Sequence, residues 1–165
     1  NKKNIKLSVI GFIYLSFVLF TLLNLRGNSL AEATFLILIL SICASSDIGG
    51  YVFGKTFGGK KLIKISPNKT ISGSLGSFIF SIIPVFIFNF QSLIIFDFTF
   101  KNISFCLLVS LICQIGDLVI SYFKRLNKIK NTGTLLPGHG GILDRIDGMI
   151  FAIPFVYFLK LIELY

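Results

Sequence analysis

Long apolar runs separated by short polar stretches set the pattern of this chain. Residues 5–25, 30–46, 71–90, 103–123 and 148–165 are each apolar with few charges. Roughly twenty such residues cross the ~30 Å hydrocarbon core of a bilayer as a helix. The pattern therefore predicts an all-α, polytopic helical membrane protein, with five transmembrane helices in a single membrane domain over residues 1–165. Pro84 lies inside the third run, where neighbouring groups in a membrane bundle can satisfy the backbone it disturbs. Residues 47–70, DIGGYVFGKTFGGKKLIKISPNKT, are rich in Gly and Lys and contain Pro67. They predict a polar loop whose start is partly embedded, since a lipid-exposed helix throughout would be broken by these residues. A second polar loop is expected between the fourth and fifth runs. The chain opens on Asn1 without Met, so upstream segments are expected before it.

Composition supports that picture. A hydrophobic fraction of 54%, with 19 Phe and no Trp, exceeds what a soluble core needs. The net charge of +9 is concentrated: 13 of 16 basic residues fall at the amino terminus, after the second run and after the fourth. These three regions share one side of a five-span topology, which the positive-inside rule assigns to the cytoplasm. Charge confined to loops between apolar runs excludes a nucleic-acid-binding face. Cys43, Cys106 and Cys113 all lie in apolar segments without ligand spacing and read as small buried residues.

The stretch Cys113–Gly148 departs from filler. Asp117 interrupts an apolar run, and an ionisable residue within a span marks a functional candidate. On a helix, Ser121 and Lys124 or Arg125 follow it along the same face. After Pro137, Gly138, His139, Gly140 and Gly141 come Asp144 and Asp147, three apart and so on one helical face. Carboxylate oxygens of this kind suit a hard cation beside phosphates. Glycines around His139 let backbone amides approach a bound anion. The structural alternatives stay open at this point: Asp117 pairing with Lys124 or Arg125, Asp144 and Asp147 pairing with Arg145, and Lys124, Arg125, Lys128 and Lys130 touching only lipid headgroups. GKTFGGKK at 54–61 fits most of a phosphate-binding loop but ends in Lys61 where that loop needs Ser or Thr for magnesium. Ser66, Pro67, Lys69 and Thr70 form an extended turn at the mouth of the third span, with one cation and two hydroxyls.

SYFKRLNKIKNTGTLLPGHGGILDRIDG, from Ser121 to Gly148, resembles the signature of the phosphatidate cytidylyltransferases. Two further blocks agree: Ser46, Asp47, Gly49, Tyr51 and Gly54, then Ser66, Pro67, Lys69 and Thr70. Ser72 and Asn131 stand where that family usually carries Glu and Asp, and Ile48 where it commonly carries a hydroxyl residue. The resemblance implies transfer of a cytidylyl group from CTP to phosphatidic acid, with Mg2+ as cofactor and a second, monovalent cation left open. It implies catalytic roles for Asp117, Lys124, Arg125, Asp144 and Asp147, with Asp117, Asp144 and Asp147 on the metal. Substrate contacts are implied for Asp47, Ser66, Lys69, Thr70, Ser121, Lys130, His139, Gly140, Gly141 and Arg145. Membrane lipids are the surroundings, a homodimer is left open, and the bacterial cytoplasmic membrane is the expected location, with the site facing the cytoplasm. A transporter or ion-binding subunit, and a non-catalytic lipid-binding homologue, are the competing readings.

Overall fold

The computed structural model describes residues 2–63, 66–90, 99–129, 132–133, 141 and 143–163, with the side chains of 2–7, 66–68 and 145 left aside. It is a helical bundle with one small hairpin. In chain order the elements are α1 (Lys2–Arg26), α2 (Leu30–Phe57), β1 (Lys61–Ile63), β2 (Ser66–Thr70), α3 (Ile71–Ser81), α4 (Ile83–Phe90), α5 (Phe100–Leu126), α6 (Leu143–Ile146) and α7 (Met149–Leu161). Among the described residues, four segments are long and apolar enough to cross a membrane: Ser8–Arg26, Leu30–Phe57, Ile71–Phe90 and Phe100–Leu126. The chain is thus a polytopic helical membrane protein. The fifth expected span is shorter than its apolar run, since α7 has 13 residues and reaches only ~20 Å at 1.5 Å per residue. The third is two helices in series, α3 and α4, meeting at Ile82 just before Pro84, which has no N–H to continue the first helix's ladder.

The largest difference from the expected loops lies at residues 47–70. Helix α2 runs on through Asp47 to Phe57 before a two-stranded antiparallel hairpin follows, pairing Lys61 with Thr70 and Ile63 with Ser66. The glycines are the reason. Gly49, Gly50 and Gly54 line the face of α2 that crosses Gly73 and Gly76 of α3. A methyl group on Gly50 would stand 2.6 Å from Ser77 Oγ, one on Gly73 2.8 Å from the Gly50 carbonyl, and one on Gly76 2.6 Å from the Gly49 carbonyl. Tertiary packing of two backbones at this range overrides the low helix propensity of glycine. The same glycines that looked like loop residues are a helix-crossing surface. The order helix, Gly58–Gly59, strand is also the reverse of a phosphate-binding loop, in which a strand precedes the glycines.

Helix α2 is central. Its Leu38, Ile39, Ile42 and Cys43 pack with Phe105, Val109 and Cys113 of α5 and Ala152, Ile153 and Val156 of α7 in one buried core. Helix α1 closes the side against α7, where Tyr14 donates a hydrogen bond to the Ile150 carbonyl at 3.2 Å. A second close crossing sets the start of α7: a methyl group on Gly148 would meet the Cys113 carbonyl at 2.9 Å, and one on Gly116 the Phe151 ring at 2.7 Å. This crossing carries Asp147 to the side of α5 that bears Asp117.

Gly76→Val should therefore cost about 1–3 kcal/mol of stability through overpacking. Gly11→Val on α1, where a methyl group meets nothing within 4 Å, should leave the unfolding midpoint in detergent unchanged. Equal midpoints for the two variants would remove the glycine crossing as the organiser of α2 and α3.

Candidate active site

One cavity of about 300 Å³ collects four of the acids singled out in the sequence together with Lys69 and Thr70. Helix α2 contributes Asp47, Gly50 and Tyr51, the hairpin Leu62, Lys69 and Thr70, and α3 Gly73, Ser74 and Ser77. Helix α5 contributes Gln114 and Asp117, and the α6–α7 corner Asp144 and Asp147. Each is delivered by a local device. Thr70 caps α3 by accepting a hydrogen bond from the Gly73 N–H at 3.1 Å, so the preceding residue, Lys69, is held at the cavity. There its ammonium group forms an ion pair with Asp117. The alternative left open by the sequence, a pair of Asp117 with Lys124 or Arg125, is not formed; the hairpin lysine takes that place. Ser121, one turn along α5, donates to the other Asp117 oxygen at 3.3 Å.

Lys124 instead bridges the α6–α7 corner, reaching Asp144 at 3.0 Å and Asp147 at 3.5 Å. The three side chains are only 11–12% exposed, so removing Lys124 costs about 3–5 kcal/mol by stranding the two carboxylates. Asp144 accepts further bonds from the backbone N–H groups of Gly141 at 2.8 Å and Thr132 at 2.9 Å. Partial burial raises its pKa, but those amides and Lys124 outweigh burial and hold it down at about 2. Asp147 behaves oppositely: burial, then the Asp117 charge and a hydrogen bond shared with it, push its pKa up, against the pull of Lys124 and the Gly148 N–H. Two neighbouring acids are thus tuned apart, one firmly ionised and one prone to hold a proton.

Of the expected site residues, Asp47, Lys69, Thr70, Asp117, Asp144 and Asp147 line the cavity, while Ser121, Lys124 and Gly141 hold its acids. Arg125 is exposed on α5 and forms no ion pair among the described residues, since its side chain leaves the helix about 100° from Lys124. Lys130, His139 and Gly140 lie outside the described residues, as do the side chains of Ser66 and Arg145. Tyr51, Leu62, Ser74, Ser77 and Gln114 line the cavity without having been expected in it. Spacing offered a signal for three of them: Ser74 and Ser77 continue the face of Thr70, and Gln114 precedes Asp117 by one turn. Ser72 does not line the cavity; its hydroxyl donates to the Gly58 carbonyl and ties α3 to the end of α2.

Among the described residues no three His, Cys, Asp or Glu side chains are gathered closely enough to hold a metal as they stand. The ammonium groups of Lys69 and Lys124 sit among the carboxylates. The donor set itself is one that fits Mg2+: carboxylate oxygens on a single polar cavity with no soft ligand.

The cytidylyltransferase family model matches residues 1–162. The chain belongs to the cytidylyltransferase family. Relatives named phosphatidate cytidylyltransferase include one from Bacillus subtilis, 35% identical over 148 residues that cover 89% of this chain and 55% of the relative. Another, from Rickettsia bellii, is 37% identical over 158 residues, 92% of this chain and 68% of the relative. A third, from Staphylococcus haemolyticus, is 47% identical over 115 residues, 66% of this chain and 42% of the relative. The chain spans about half the length of the first of these relatives. Membership is carried by nearly the whole chain, from α1 to the end of α7, rather than by the signature segment alone.

The Asp147 environment makes a prediction with a definite sign. A carboxyl whose pKa is raised in the folded state destabilises that state once pH rises above its ordinary value near 4. In magnesium-free buffer, Asp147→Asn should raise the thermal midpoint at pH 8, by a gain on the order of 1 kcal/mol, and leave it nearly unchanged at pH 4. A midpoint lowered at pH 8 would mean that Lys124 more than offsets burial there.

Proposed function

We propose that this cytidylyltransferase-family chain forms the catalytic part of an enzyme that transfers the cytidylyl group of CTP to phosphatidic acid, releasing pyrophosphate. The observation that carries the reading is the convergence of Asp47, Asp117, Asp144 and Asp147 with Lys69 on one cavity. The names of the relatives supply the substrates. An oxygen of the phosphatidate phosphate attacks the α-phosphorus of CTP. The bond from that phosphorus to the bridging oxygen of the pyrophosphate breaks, and the new phosphoanhydride is CDP-diacylglycerol. The attacking phosphate is already ionised near neutral pH, so the protein needs no strong base. Its contribution is positioning and charge neutralisation.

The residues divide that work between them. Lys69, on a hairpin, and Lys124, at the end of α5, are point charges on flexible stems able to exchange a carboxylate partner for a phosphate. Ser121 keeps Asp117 oriented, and the Gly141 and Thr132 amides keep Asp144 ionised. Asp117, Asp144 and Asp147 would hold Mg2+, which supplies charge neutralisation at the phosphate oxygens. Lys124, Arg125 and Lys128 cluster at the end of α5 and Lys55, Lys60 and Lys61 around the α2–β1 corner. That distribution supports an orientation with the cavity facing the cytoplasm of a bacterial inner membrane. The Ser72 departure from the usual family residue falls at the α2–α3 tie, which leaves the four cavity acids in place and favours an active enzyme over a non-catalytic homologue.

Full-length protein in detergent, given labelled CTP and phosphatidic acid, should form a lipid-extractable labelled product only when magnesium is added. Asp117→Asn and Asp144→Asn should each reduce that rate roughly 100-fold or more while remaining folded. No product from folded wild-type protein would leave the non-catalytic lipid-binding reading in its place.

A further inference from the structure

The proposed reaction joins a soluble nucleotide to a lipid, and one side of the cavity differs from the others. Among the described residues that line it, only Asp47 and Tyr51 are exposed, and they lie one turn apart on one face of α2. The lining residues from the hairpin, α3, α5 and the α6–α7 corner are buried or half-buried. The cavity therefore opens along the Asp47–Tyr51 edge of α2. That edge runs on into apolar surface, since Ala44 is exposed and Ile48 is 55% exposed.

Depth along α2 fixes what meets this opening. At the far end of the helix, the Ser29–Glu32 capping box and the Glu32–Lys160 ion pair are polar groups that stay out of the hydrocarbon. Roughly twenty residues of core beyond Glu32 put the opposite boundary near Val52. Tyr51 thus stands at the level where lipid headgroups begin, a place that suits an amphipathic ring. Ile48 lies on the acyl side of it and Lys55 on the headgroup side. Lys55 Nζ donates to the Tyr51 hydroxyl at 3.4 Å and lies 5.6 Å from the ring centre. Lys69 and Lys124 are held by carboxylates, whereas Lys55 forms no ion pair among the described residues. Its ammonium keeps two further N–H donors, and the phenol keeps its own O–H. The rim thus offers three donors and a positive charge to an oxyanion. Asp47, one turn inward, repels such a group, and Lys55 is the cation placed to offset it.

We infer that Tyr51 and Lys55 form the lip at which the phosphomonoester of phosphatidic acid is received from the bilayer, with its acyl chains along the Ala44 and Ile48 side of α2. A lipid cannot bring its chains through the polar end of the bundle, so it has to enter sideways, and this edge is the exposed one. Both residues position the lipid and neither touches the reacting atoms. The inference rests on the proposed cytidylyl transfer for its choice of lipid, and the lip makes its own binding prediction.

The test uses full-length protein in detergent micelles that hold a varied fraction of fluorescent phosphatidic acid, first for equilibrium binding without CTP and then for turnover. Lys55→Gln should weaken phosphatidic acid binding and raise its KM roughly fivefold, the effect of one cation near a lipid surface, with kcat and KM for CTP unchanged. Lys55→Arg should restore both values, and Tyr51→Phe should raise the same KM by a smaller factor. Lys128→Gln removes an equal charge from the exposed end of α5 and should change neither. Unaltered lipid binding in folded Lys55→Gln would overturn the lip. So would a rise confined to the KM for CTP, which would assign Lys55 to the triphosphate, or an equal loss in Lys128→Gln, which would reduce the effect to general surface charge. Lys55-dependent binding of phosphatidic acid with no lipid product would overturn the transfer reaction and keep the lip.

Discussion

Charge held inside an apolar bundle is the constraint on which this structure turns. Asp117 sits on a membrane helix, and Asp47 on another, where an unpaired carboxylate costs several kcal/mol. The chain meets that cost by bringing cations from elsewhere in the sequence: Lys69 to Asp117 from the hairpin, and Lys124 to Asp144 and Asp147 across the α5–α6 gap. Neither pair is local, so neither forms until the helices are packed. The packing is therefore part of the electrostatics. If α2 and α3 stood further apart, Thr70 and Lys69 would move with α3, and Asp117 would lose its counter-ion.

Two glycine crossings make that packing close enough. The α2–α3 crossing fixes the hairpin over the cavity, and the Gly148–Cys113 approach presses the start of α7 onto α5, which brings Asp147 beside Asp117. In a membrane, helices gain little by burying apolar surface against one another, and small residues that admit close backbone contact take over the role of the core. Polar side chains complete it. Ser46, Ser110, Gln114 and Ser74 form a hydrogen-bonded line through α2, α5 and α3, and each of the outer two is near a charged residue of the site, Asp47 beside Ser46 and Lys69 just before the α3 cap. The line that ties the helices together also sets the spacing of the charges.

Much of this was legible in the chain and some of it was not, for identifiable reasons. Apolar run length located the spans because a bilayer imposes a length on any helix crossing it. Helical spacing placed Ser121 on the face of Asp117 and paired Asp144 with Asp147, since i, i+3 and i, i+4 relations are local. The identity of the counter-ions was not local. Lys69 is 48 positions before Asp117, and no periodicity connects them. The glycines at 49, 50 and 54 misled because glycine means loop in isolation and helix crossing in company; only the matching glycines at 73 and 76 distinguish the two. Gln114 was passed over as one polar residue in a span, although its place one turn from Asp117 set it on the cavity.

The opposed tuning of Asp144 and Asp147 follows from the same geometry and bears on how the site can work. Asp144 faces two backbone amides and a lysine, all donors, so it stays ionised and is available as a fixed anionic anchor. Asp147 faces Asp117 as well as Lys124, so its negative charge is tolerated only while enough positive charge is near. Burial and the Asp117 charge make Asp147 the acid of the corner more prone to hold a proton, and Lys124 opposes that. The α6–α7 corner thus couples the charge state of the cavity to whatever occupies it, and the coupling needs no moving domain. It needs only two carboxylates, Asp117 and Asp147, held side by side in a largely buried corner, which the glycine crossing at Gly148 enforces.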